Sequence, residues 1–130
     1  MKRILVFGGR DYTDEAAIFR ALDRLHATRG IACVIHGDCH VTEINADKLA
    51  GKWARSRGVE EKPYRIEQER DGPWPGCGPV RNIRMFTDSN PDAGVGFPGD
   101  KGTRHMASVL RKAGKPIWWP EGGDPLEVKR

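Results

Sequence analysis

Short apolar runs alternate with amphipathic stretches along this chain, and the alternation predicts its elements. Lys2–Phe7 (KRILVF) is an apolar, β-rich run that ends in Gly8-Gly9, which reads as a buried strand. Thr13 is placed to cap a helix, with Asp14 and Glu15 in the first turn where the helix dipole favours negative charge. Ile18, Leu22 and Leu25 make the apolar stripe of that helix, and Gly30 stops it. Ile31–His36 is the second strand, broken by Gly37. The spacing of Ala46, Ala50, Trp53 and Arg57 predicts a helix over Thr42–Arg57, ended by Gly58. Lys62–Ile66 is a weaker third strand.

A polar loop follows, Glu67–Gly78, dense in glycine and proline around Trp74. Loops of that length often carry function. Pro79 suits a helix start, because the N–H it lacks is not needed there. Ile83 and Phe86 give this helix an apolar side, and Asn90-Pro91 closes it. Ala93–Phe97 (AGVGF) is a fourth strand of small residues. Thr103 is expected to cap a last helix running through Ala113, with Met106, Val109, Leu110 and Ala113 as its buried stripe. Gly114 ends it, Pro116–Trp119 is the fifth strand, and residues 120–130 are expected to be a loose tail.

Strictly alternating strands and helices imply an α/β fold, here a single Rossmann-like three-layer domain over residues 1–119. Its five-stranded parallel sheet is expected in the order 3-2-1-4-5 with right-handed crossovers. In such a sheet ligands sit at the carboxyl ends of the strands, where the strand order reverses. The loops that meet there are Gly8–Thr13, Gly37–Glu43 and Pro98–Thr103. Each places glycine directly after an apolar strand, where the backbone can approach a ligand closely.

Composition narrows the partners. The 130 residues carry a net charge of +4, which favours anions, but no run of like charge marks a nucleic-acid tail. No aromatic-basic stripe supports strand binding either, so nucleic acid is not expected as a partner. The apolar patch near the start, Ile4–Phe7, is too short for a signal peptide, and no stretch reaches membrane-spanning length; a soluble, cytoplasmic protein is expected. Cys33, Cys39 and Cys77 are odd in number and irregular in spacing, which argues against a disulfide framework. Cys39 and His40 with His36 and Cys77 lack the spacing of a zinc site, so no metal and no cofactor is expected.

The candidate chemistry lies in the three loops. Pro98, Gly99, Gly102 and Thr103 sit where a strand gives way to a helix N-terminus, a place suited either to a phosphate cradle or to a tight turn alone. The chain has no GxGxxG, no GxxxxGK[ST] and no GxSxG, which argues against a standard dinucleotide, ATP or serine-hydrolase site. Arg10, Arg81, Asn82 and Arg84 offer anion contacts, although arginines on a helix are often only its exposed face. Asp11, Asp38, Glu43, Asp47 and His105 are the candidate acids and bases. Asp38 follows a strand end, and Glu43 and Asp47 are four apart on one expected helix face, where either is also an ordinary solvated first-turn acid. Trp74 is placed to lie over a base or ribose, or to plug a groove, whereas Trp118-Trp119 reads as packing.

Three segments, GGRDYTD (Gly8–Asp14), GPVRNIRM (Gly78–Met85) and PGDKGTRHM (Pro98–Met106), together resemble the SLOG superfamily, within it the small YspA-like branch. The resemblance runs over Lys2–Trp119 and includes the Lonely Guy phosphoribohydrolases, which cleave the base from a nucleoside monophosphate, and nucleotide-derivative sensors. It implies phosphate at Gly99, Gly102 and Thr103, with Arg81 matching the arginine of the Lonely Guy RK motif and expected in a catalytic role; Gly8, Gly9, Gly37 and Pro98, read from the loops, are expected as further ligand-binding positions. The chain departs from the Lonely Guy pattern PGGxGTxEE: Asp100 replaces the second glycine, and His105 and Met106 occupy the glutamate positions. Gly37–Asp47 is also longer than the GGARGAD-like stretch of relatives. The implied ligand is a nucleotide or nucleotide-sugar derivative. If the protein is an enzyme, the implied reaction is cleavage or transfer at the N-glycosidic bond, with Glu43 or Asp38 as the carboxylate; the alternative is a binding or sensing module without catalysis. Exposed apolar helix surface is expected to support a homodimer.

Overall fold

In a computed structural model, described here for residues 1–124, five strands form one parallel sheet in the order β3-β2-β1-β4-β5. The strands are β1 (Lys2–Phe7), β2 (Ile31–His36), β3 (Glu60–Pro63), β4 (Ala93–Gly96) and β5 (Ile117–Trp118). The helices are α1 (Glu15–Arg29), α2 (Ala46–Ser56), α3 (Gln68–Asp71), α4 (Cys77–Ser89) and α5 (Lys101–Lys112). The expected class and strand order are observed.

The period of two along each strand divides the core between the two faces of the sheet. Ile4, Val6 and Val34 point to one face, where Ile18 and Leu22 of α1 and Leu49, Ala50 and Trp53 of α2 cover them. Leu5, Phe7, Cys33 and Ile35 point to the other, beneath Met85 of α4 and Met106, Ala107 and Leu110 of α5. Cys33 is a small buried core residue whose thiol pKa is raised by burial. Trp119 packs edge-on against Phe7 with ring centroids 5.5 Å apart. Gly96 sits against that indole, where a Cβ would collide with it.

Several element boundaries differ from expectation, each for a local reason. Asp14, not Thr13, caps α1: its carboxylate accepts the Ala17 N–H at 3.0 Å. α2 begins at Ala46, not Thr42, because the Thr42 hydroxyl donates to the carbonyls of Arg10 and Ile44 and holds the preceding residues in a bend. Asn45 then caps the helix by accepting the Lys48 N–H at 2.9 Å. β3 lies two residues earlier than Lys62, set by pairing of Cys33 with Glu60 through His36 with Pro63. It is a polar edge strand with no buried residue, so it leaves no apolar signature.

The glycine-rich loop holds the single-turn helix α3, and α4 starts at Cys77 rather than at Pro79. The inward face of α4 is Asn82, Met85 and Ser89, not Ile83, which is 52% exposed beside Val80. α5 starts at Lys101, and Thr103 lies inside its first turn, buried, rather than capping it. Residues 120–124 are tied back, with the Tyr12 hydroxyl donating to Glu121 at 2.8 Å and Arg111 paired to Asp124. The rest of the expected tail, residues 125–130, lies outside the described residues. No helix among those described is long and apolar enough to cross a membrane.

Candidate functional site

A cavity of about 490 Å³ opens at the carboxyl ends of β1, β2 and β4, at the point where the strand order reverses. The loops after these strands and the first turns of α2, α4 and α5 converge on it. Each helix presents the positive end of its dipole there. α4 and α5 begin without a side-chain cap, so their leading N–H groups are left available to an anion.

The glycines fit the backbones together at this junction. Gly9 donates its N–H to the Pro98 carbonyl at 2.8 Å, and a Cβ on Gly9 would stand 2.9 Å from that oxygen. A Cβ on Gly8 would stand 2.8 Å from the Ala46 side chain and 3.0 Å from that of Phe97. The start of α2 and the loops after β1 and β4 are therefore in direct contact. At Gly99 a side chain would collide with the Thr103 hydroxyl. Gly102 is different: a Cβ there meets nothing within 4 Å, so its backbone faces open space in the cavity wall. Arg10 and Lys101 flank this end, and neither is ion-paired among the described residues.

Arg81 forms the opposite wall. Its Nη1 donates to the carbonyls of Gly37 at 2.5 Å and Tyr64 at 3.1 Å, and its Nε donates to Asn82 Oδ1 at 3.0 Å. A Cβ on Gly37 would strike the guanidinium, which explains that glycine. Burial lowers the pKa of Arg81 from its ordinary value, opposed by the charge of Asp47. Because Asn82 Oδ1 accepts from arginine, its amide nitrogen must be the group facing His105 Nδ1 at 3.1 Å. Burial, then Lys112, lowers the His105 pKa, so its ring is neutral at pH 7 with the proton on Nε2.

Two carboxylates line the inner wall after β2. Asp38 adopts φ +46° and donates its N–H to the buried His36 Nδ1 at 3.0 Å. His36 Nε2 in turn meets Glu61 at 2.6 Å. Both Asp38 oxygens are engaged, one with Lys48 at 3.0 Å and the other with Arg65 at 3.1 Å. Burial acts to raise the Asp38 pKa, but these two cations hold it below its ordinary value. Asp47, in the first turn of α2, accepts the Cys39 N–H through Oδ2 at 3.1 Å. Burial raises its pKa against the pull of His36, then of Arg81 and that N–H.

The structure thus brings Gly8, Gly9, Arg10, Gly37, Asp38, Arg81, Asn82, Gly102 and Thr103 to one cavity. Pro98 and Gly99 are exposed and do not line it, but they contact the lining residues Gly9 and Thr103. Glu43 and Arg84 are not brought there. Glu43 is exposed, on the bent segment before α2 rather than on a helix face with Asp47. Arg84 is held by the buried Asp71, with Nε on Oδ1 at 2.9 Å and Nη2 on Oδ2 at 3.0 Å. Asp47 and His105 were legible only as generic acid or base candidates, since the placement of the first turns of α2 and α5 against the cavity has no sequence signature. Trp74, 63% exposed, stands at the rim beside Pro75. Among the described residues no group of three or more His, Cys, Asp or Glu is arranged to hold a metal ion.

The family model for the YspA, cpYpsA-related SLOG family matches residues 2–70, just over half of the chain. The protein belongs to this SLOG family. The match includes β1 with its glycine loop, β2, the Gly37–Asp47 segment, α2 and β3. Two of the resembling segments, Gly78–Met85 and Pro98–Met106, lie beyond it, so the SLOG assignment stands on the first half of the chain. Membership supports a nucleotide-related binding or modifying domain. None of the curated proteins matches the chain.

Proposed function

We propose that this SLOG protein binds a nucleotide or nucleotide-sugar derivative, with its phosphate against the first turn of α5. The observation that carries the reading is the convergence of three glycine loops and three helix N-termini on one cavity. Gly102, Thr103 and Lys101 supply the anion contact, and Arg10 adds charge from the facing loop. Trp74, exposed at the rim, offers a face on which a base can stack.

The enzymatic form of this reading is cleavage or transfer at the N-glycosidic bond of a nucleoside monophosphate. Its transition state develops positive charge on the sugar, which a carboxylate stabilises. Of the two carboxylates expected from sequence, Asp38 lies in the cavity, whereas Glu43 stands outside it. Arg81 is a half-buried cation of the site, and the neutral His105 has an Nε2–H that can donate a hydrogen bond to a leaving base. A binding module without turnover is the second reading. The observation favouring it is that Met106, at one of the two glutamate positions, is a buried core residue.

Incubation with a panel of nucleoside monophosphates, followed by chromatography for free base and by calorimetry, separates the readings. Base release supports the enzyme. Binding without release supports the sensor. Absence of both overturns the nucleotide reading.

A further inference from the structure

We propose that Asp47 is the residue that recognises the sugar, and that the ligand carries a ribose with a free 2′-hydroxyl. The inference rests on the nucleotide reading above and adds to it a residue and a sugar class. Three carboxylates line the cavity: Asp38, Asp47 and Asp100. Asp38 has both oxygens bound by Lys48 and Arg65. Asp100 is exposed at the mouth of α5. Asp47 alone combines shelter with an unused oxygen: Oδ2 takes the Cys39 N–H, while Oδ1 takes no hydrogen bond from any described residue.

Its position in the cavity points to the sugar rather than to the phosphate or the base. Asp47 follows Ala46, whose N–H donates to the Gly9 carbonyl at 3.4 Å and whose side chain abuts Gly8. Gly9 in turn is bonded to Pro98, at the entrance to the α5 turn. The carboxylate therefore stands next to the proposed phosphate contact on the inner wall, while Trp74 is exposed at the rim. A phosphate at α5 brings the adjoining sugar to Asp47 and carries the base outward. A carboxylate there would repel a second anion but accepts hydroxyl protons well. Arg81 does not occupy this carboxylate: it makes no ion pair with Asp47, and its hydrogen bonds go to Gly37, Tyr64 and Asn82.

The test is calorimetric binding of ribose 5-phosphate, 2-deoxyribose 5-phosphate and inorganic phosphate to wild-type protein and to Asp47→Asn. Wild type is expected to prefer the ribose form by about tenfold or more, the effect of one hydrogen bond to a charged acceptor. Asp47→Asn is expected to reduce that preference to about threefold or less while leaving inorganic phosphate binding unchanged, a pattern that general structural damage would not give. Equal wild-type binding of the two sugar phosphates overturns the inference and leaves the phosphate site standing. A preference that survives in Asp47→Asn also overturns it. Failure of wild type to bind any of the three probes overturns the nucleotide reading and this inference together. The wild-type comparison decides the sugar class even if the variant does not fold.

Discussion

At the scale of single residues, two carboxylates respond to the fold in opposite ways. Burial makes ionised Asp47 unfavourable, so its pKa is raised in the folded protein. A raised carboxyl pKa costs stability above the ordinary carboxylate range, and the cost vanishes as pH falls below it. Asp47→Asn should therefore raise the melting temperature near neutral pH by roughly 4 °C, the equivalent of about 1 kcal/mol for a domain of this size. The gain should fade as pH falls through the raised pKa of the folded carboxyl and be gone below about pH 4, where the carboxyl is protonated in both states. A scanning calorimetry series across pH checks both points. Asp71 behaves conversely: its hydrogen bonds from Arg84 lower its pKa, so it contributes stability at neutral pH that is lost as pH falls. Arg84→Ala strands the buried carboxylate and should destabilise the fold by about 3 kcal/mol in urea unfolding. The identity of these residues is plain in the sequence. Their roles were not, because Arg84 and Asp38 looked like free groups until the fold gave them partners.

At the scale of elements, the β4–α5 turn separates a glycine needed for the fold from one available to function. Gly99 has no room for a side chain against Thr103 and Gly9. Gly99→Ala should lower stability by about 2 kcal/mol through overpacking, measured by thermal unfolding. Gly102 has open space, so Gly102→Ala should fold with little change in melting temperature and lose phosphate affinity by roughly tenfold if its backbone meets the ligand. Trp74→Ala, at an exposed rim position, should leave stability unchanged and weaken nucleotide binding by about 1–3 kcal/mol if a base stacks there. The strands β1, β2 and β4 and the middles of the long helices were legible because burial forces a period on their residues. The starts of α2 and α5 were not, because Thr42, Asn45 and Asp100 act through loop geometry rather than through a repeating pattern. β3 escaped detection in its true register because an edge strand with no buried side chain carries no pattern to detect.

At the scale of the molecule, the order 3-2-1-4-5 places the carboxyl ends of β1 and β4 side by side and opens the cavity between their loops. A ligand held there binds only the folded state. At a hundred times its dissociation constant it should raise stability by about 2.7 kcal/mol, read as a concentration-dependent rise in melting temperature. What the sequence by itself determined was the layering: alternating periods of burial leave one economical arrangement, helices on both faces of a parallel sheet, with glycine loops at one edge. What only the tertiary structure decided was which polar groups meet. Asp47 and Arg81 are distant in the chain, and a charged side chain looks the same in sequence whether it faces water, an ion partner or a cavity. Burial and partners set its chemistry, and both exist only once the helices have packed.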